Sequence, residues 1–246
     1  QVAKSAPDGD TLGLGGTGTL AIAPSLYPNA GYDPRKDFAP VGLIATGGMV
    51  VLVHPGVPIH SISELIAFAK KNPKQLNYAS AGVGSGIHLG AALFASTAGI
   101  ELTHIPYKGT GPALNDLVGG HVGLYFSSIA PAIGLVKENK VRALAVTAGK
   151  RSAQLPDLPT VIEAGLPGYE AVLRYGIVAP AGTPRPIIDK LNAALRAALI
   201  APDIQARLAA DGAEVLMSTP EEYAADIDAE ETKWSQIVRA SGAKAE

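Results

Sequence analysis

The chain has 246 residues, 47% of them apolar and 17% charged, with a formal net charge of −2. That balance gives a folded chain with a sizeable core and no global field to draw in nucleic acid or anionic lipid. The absence of cysteine excludes disulfides, zinc–thiolate sites, iron–sulfur clusters and cysteine nucleophiles together.

The opening residues Gln1-Val2-Ala3-Lys4 carry no signal-peptide core. A strand is expected at 11–14, followed by the polar turn Gly15-Gly16-Thr17-Gly18-Thr19. The apolar run 49–53 fits a buried strand. Ser61-Ile62-Ser63-Glu64 then opens a helix with a capping-box pattern, and Lys70, Lys71 and Pro73 mark its end. A strand at 76–80 leads through a Gly-rich turn into a helix over 86–98. Alternation continues with strands at 103–105, 122–126 and 141–147 and helices at 111–118 and 130–137. Strand, helix, strand at this spacing implies crossover connections, a largely parallel sheet and an α/β class. The uncharged stretch 117–136 is about as long as a membrane span. Gly119-Gly120, Ser127-Ser128 and Pro131 interrupt it, so it reads as a buried strand followed by a helix.

Beyond Lys150 the pattern changes. Leu155-Pro156-Asp157-Leu158-Pro159 and Leu166-Pro167-Gly168 form a connector, with a last strand at 175–179. Helices follow over about 185–200, 203–211 and 220–240, the third with Thr219 as N-cap. Charge divides the same way. Residues 180–246 hold seven basic and eleven acidic side chains, whereas between Gln75 and Val136 only Glu101, Lys108 and Asp116 are charged.

Gly82-Val83-Gly84-Ser85-Gly86 lies between a strand and a helix, where backbone N–H groups and the helix dipole favour an anion. The dinucleotide fingerprint fails, because Ile87 stands where its third glycine belongs. A small carboxylate site and a tight structural turn both remain open for it. No Walker motif or nucleophile elbow occurs. His54, His60, His88, His104 and His121 show no metal-ligand spacing and read as core or surface residues. Glu101 and Asp116 are too isolated in sequence to form an acid/base pair, so no catalytic residue, metal site or cofactor is expected. Lys108, in Pro106-Tyr107-Lys108-Gly109-Thr110-Gly111, reads either as a counter-charge for an anion at a strand's carboxyl end or as a solvated loop lysine. Ser127 and Ser128 add hydroxyls after a further strand.

These turns carry a family resemblance. Ala6-Pro7-Asp8-Gly9-Asp10-Thr11-Leu12, Pro24-Ser25-Leu26-Tyr27, Tyr32-Asp33-Pro34 and Leu76-Asn77-Tyr78-Ala79-Ser80 occur in family order. So do His104-Ile105-Pro106-Tyr107-Lys108-Gly109, Arg142-Ala143-Leu144-Ala145-Val146-Thr147, Leu155-Pro156-Asp157-Leu158-Pro159-Thr160 and Ala179-Pro180-Ala181-Gly182-Thr183-Pro184. Over essentially its whole length the chain resembles the tripartite tricarboxylate transporter receptors, the periplasmic solute receptors also called Bug proteins. The resemblance implies a two-lobed, type II periplasmic-binding-protein-like α/β fold, with mixed sheets flanked by helices. Lobe 1 would comprise 1–49 with 169–246 and lobe 2 would comprise 50–168, hinged near 47–50 and 168–175. It further implies a periplasmic, non-enzymatic receptor, not embedded in the membrane, that closes on a small carboxylate and delivers it to transporter subunits. The alternatives are a ligand-sensing partner of a membrane signalling protein and, less favoured, an α/β enzyme acting on a small anion.

Two departures from the family pattern qualify this. The family's first strand, first helix and the Gly-rich loop between them have no counterpart here, so lobe 1 is expected to be incomplete. Members that bind amino acids carry an aspartate where this chain has Ser127. A ligand ammonium would then lie buried without its counter-charge, so an amine-free dicarboxylate, hydroxy acid or aromatic carboxylate is expected. The expected ligand-binding residues are Thr17, Gly82, Gly84, Ser85, Tyr107, Lys108 and Ser127.

Overall fold

The computed structural model describes residues 1–27 and 29–243. Strands and helices alternate as expected for an α/β protein, and the chain divides into two compact units. Unit 1 takes Gln1–Thr46 and the segment from Leu173 onward; unit 2 is the continuous stretch Gly47–Val172.

In unit 1, β1 (Gly13–Gly16) pairs antiparallel with β7 (Val172–Pro180), from Gly13 opposite Val178 to Gly16 opposite Tyr175. The expected turn therefore begins later than its glycines suggest. Gly15 and Gly16 are strand residues, and the helical stretch starts at Thr17, as one π-turn segment (Thr17–Ile22) running into α1 (Ala23–Leu26). Packing explains the glycine at 15: a Cβ there would lie 2.6 Å from Leu20 and 2.8 Å from the Tyr223 hydroxyl. The core around Leu20, Leu43, Val178, Tyr223 and Ile227 closes over this ribbon. α6 (Arg185–Leu199), α7 (Pro202–Ala210), β8 (Ala213–Val215) and α8 (Pro220–Ser241) complete the unit. Thr219 caps α8 with a full capping box, its hydroxyl accepting from Glu222 N–H while the Glu222 carboxylate accepts from Thr219 N–H.

β2 (Phe38–Val53) is far longer than the expected 49–53 run. Pro40, Gly42, Gly47 and Gly48 break its strand pattern locally. The ladders β2 forms with β7, β8, β5 and β6 override that weak propensity.

In unit 2, residues Met49–Val53 of β2 are fully buried, as befits a strand covered on both faces. They pair antiparallel with β5 (Leu124–Ser128) and with β6 (Arg142–Val146). β3 (Asn77–Ser80) lies between β5 and β4 (Thr103–Pro106) and runs parallel to both. The sheet is thus mixed, with β2 reversed against β5 and β6. α2 (Ile62–Lys71) starts at Ser61, whose hydroxyl accepts from Glu64 N–H. The Glu64 carboxylate reaches one residue further back than a capping box requires, to His60 N–H at 2.7 Å. α3 (Gly86–Ala98), α4 (Thr110–Val118) and α5 (Ile129–Lys137) follow β3, β4 and β5 in turn. Because those three strands are parallel neighbours, the three helices all begin at one edge of the sheet.

Candidate functional site

That edge is the natural place for an anion, since each helix N-terminus presents backbone N–H groups that its own helix cannot use. The turns after β3 and β4 are bonded to one another. Tyr107 N–H donates to Ser80 C=O at 3.1 Å and Gly109 N–H to Ala81 C=O at 3.2 Å. Gly82 (φ +131°), Gly84 (φ +73°) and Gly109 (φ +111°) hold backbone conformations that L side chains rarely adopt. Ser85 caps α3: its hydroxyl accepts from His88 N–H and donates to Gly82 C=O at 2.8 Å.

The expected donors are spent inside this turn. Gly82 N–H goes to Ser80 Oγ at 3.1 Å, Gly84 N–H to His88 Nδ1 at 3.1 Å, and Ser85 N–H to Gly82 C=O at 3.2 Å. Among the described residues, the N–H groups of Val83, Gly86 and Ile87 have no protein acceptor, nor do those of Thr110 and Gly111 on α4 or Ile129 and Ala130 on α5. Proline follows at Pro112 and Pro131, where a helix needs no N–H. Glycine shapes the turn, and its neighbours carry the free donors.

Lys108 is exposed at the end of β4, and no ion pair holds it among the described residues. The other charges of this stretch are engaged. Glu101 pairs with Lys74 at 3.7 Å, and Asp116 accepts from the Tyr107 hydroxyl at 2.7 Å. Burial, reinforced by Asp116, pushes the Tyr107 hydroxyl up to about 12, so it stays a neutral donor. Ser127 is fully buried at the end of β5, and its hydroxyl donates to Ser128 C=O at 2.9 Å.

Thr17 lies in unit 1, 4% exposed. Its hydroxyl donates to Glu230 Oε2 at 3.3 Å and accepts from Arg174 N–H at 2.9 Å. Arg174 bridges Asp226 at 2.6 Å and Glu230 at 2.9 Å, and Trp234 Nε1–H donates to Glu230 Oε2 at 2.9 Å. In this structure the Thr17 hydroxyl belongs to a largely buried ion-pair network, and its one proton is committed to Glu230, so it has no free donor for a carboxylate. Burial raises the Asp226 carboxyl above its ordinary value, against the pull of Arg174.

The histidines were the residues that spacing could not place. His88 and His104 stack with ring centroids 3.9 Å apart and planes 7° apart, and Tyr78 stacks on His104 at 4.9 Å. Burial lowers both to about 4, and for His88 the charge of its neighbour adds to the effect, so both rings are neutral at pH 7. No group of three or more histidine or acidic side chains among the described residues is placed to hold a metal ion. No helix among them is long and apolar enough to cross a membrane.

Comparison with known proteins places this arrangement in context. The family model described as the tripartite tricarboxylate transporter family receptor matches residues 1–243. A protein encoded in the tcbD–tcbE intergenic region of Pseudomonas sp. strain P51 is 39% identical over 238 residues, covering 96% of this chain and 70% of that protein. The solved structure of Rpa4515 from R. palustris with adipate is 36% identical, with a TM-score of 0.87 over 99% of this chain and 81% of that one. MatC (Rpa3494) from Rhodopseudomonas palustris with bound malate is 38% identical, with a TM-score of 0.82 over 96% of this chain and 82% of that one.

Proposed function

The chain belongs to the tripartite tricarboxylate transporter receptor family, and from that membership we propose that it is a periplasmic receptor for a small amine-free carboxylate, which it passes to a tripartite membrane transporter. The carrying observation is the edge of unit 2: unbonded N–H groups at three helix N-termini, with Lys108 in the turn between β4 and α4, in a stretch with almost no other charge. Such donors hold a carboxylate by charge-assisted hydrogen bonds and offer no acid or base to transform it. The two related structures bound to adipate and malate support a dicarboxylate or hydroxy acid. The serine at 127 argues against an ammonium-bearing ligand, because no carboxylate stands there to receive it. Of the expected contacts, Lys108 supplies the counter-charge, Tyr107 a neutral wall, and Gly82, Gly84 and Ser85 the shape of the turn. The chain passes between its units at 46–47 and 172–173, and we assign the hinge to 47–50 and 168–175.

A thermal-shift and calorimetric screen against adipate, malate, benzoate, aspartate and glutamate tests this. An acid that binds only the native state stabilises it by about 2.7 kcal/mol at a hundredfold excess over its Kd. Stabilisation by adipate, malate or benzoate, with the acid recovered unchanged, is expected. Binding of aspartate or glutamate alone, or conversion of the bound acid, would overturn the proposal.

A further inference from the structure

The stacked histidines lie beneath the candidate turn, and each reaches one of its glycines. His88 Nδ1 accepts from Gly84 N–H, so its proton resides on Nε2. His104 Nε2 lies 2.7 Å from Ser80 Oγ, which in turn accepts from Gly82 N–H at 3.1 Å. β3 and β4 fix this geometry, because Tyr78 stands directly opposite His104 in the parallel ladder and the two rings stack. His88 is the third residue of α3, and its own N–H is held by the Ser85 cap. The titratable groups facing the pair are Tyr78 from β3 and each imidazole from the other; no carboxylate contributes to the state of either ring.

We propose that His88 and His104 are the positioning residues of the ligand turn. By engaging the N–H groups of Gly84 and, through Ser80, of Gly82, they leave those of Val83, Gly86 and Ile87 as the carboxylate donors. This rests on the carboxylate reading above and adds to it the identity of the donors and what selects them. A neutral imidazole suits the task, since it offers a fixed acceptor without placing a buried carboxylate beside the bound acid. Asparagine can present an oxygen where His88 presents Nδ1, whereas leucine fills the space and presents none.

The test is amide-resolved NMR of the intact chain at pH 7.5, titrated with adipate and with malate, alongside calorimetry of His88→Asn and His88→Leu. Val83, Gly86 and Ile87 amides should shift on titration while Gly84 keeps its bonded shift, and the His88 ring should show an unprotonated Nδ1. Affinity should stay within about twofold in His88→Asn and fall about tenfold in His88→Leu, the latter matching the loss of one hydrogen bond to a charged group. Shifts centred on Gly82 and Gly84, equal affinities in the two variants, or a protonated Nδ1 would each overturn the inference. The titration of the unaltered chain decides the matter even if the leucine variant does not fold. If neither acid binds at all, the carboxylate reading fails, and the ring tautomer still decides whether His88 holds Gly84.

Discussion

Lys108 and the histidine pair, whose second member lies four residues before it, make opposite demands on charge. Lys108 is exposed and has no ion-pair partner among the described residues, so its contribution to an anion is long-ranged and open to screening. Lys108→Ala should weaken adipate or malate binding about tenfold at low salt, and the deficit should shrink as salt rises; calorimetry at two ionic strengths checks this, with the melting temperature unchanged. For the histidines the sign runs the other way. Both fall from 6.5 to about 4 on folding, so between those values the unfolded chain holds more protons than the native one. Stability should be full above pH 6.5 and decline as pH drops toward 4. Melting curves across that window should show the decline, and His88→Asn with His104→Gln should flatten it. Residue types in the sequence single out the polar turns at the strand ends, but a hydroxyl's partner is not written beside it. Thr17 meets Arg174 and Glu230 across 157 and 213 residues, and no local pattern could reveal that its donor is already committed. The stacked imidazoles escaped notice for the same reason, since β3–β4 pairing brings together Tyr78 and His104, 26 positions apart by number.

Helices were the most legible elements, because their ends are marked locally. Ser61, Ser85 and Thr219 each cap a helix in the structure, and an N-cap serine replaced by alanine costs about 1 kcal/mol. Ser61→Ala and Ser85→Ala should therefore destabilise by similar amounts in urea melts, while only Ser85→Ala, which also removes the hydroxyl's bond to Gly82 C=O, should lower carboxylate affinity. β2 was the least legible element. Its first part looks like a loop with glycines and a proline, and only the partners that join from distant sequence make it a strand. The reversed direction of β2 in unit 2 is likewise a product of topology, invisible to a reading based on alternation. The parallel direction of β3, β4 and β5 is recoverable from the alternation of strands and helices, and the shared edge of their three helix starts follows from it once the strands are known to be neighbours.

At the scale of the whole chain, the two units differ in how they are assembled. Unit 2 is one continuous stretch, Gly47–Val172, whereas unit 1 draws on both ends of the chain. Residues 47–172 expressed alone should fold with a cooperative melt and dispersed amide signals, because β2 to β6 bring their own partners within that span. Residues 1–172 should leave β1 without most of β7, and exchange-labelling should show its amides unprotected. One detail of unit 1 bears on how such experiments can be followed. Trp234 is the chain's single tryptophan, fully buried and donating to Glu230. Its fluorescence is therefore a built-in beacon for unit 1: a red shift on excitation at the indole band will time the opening of that unit, while unit 2 remains optically dark at the same wavelength.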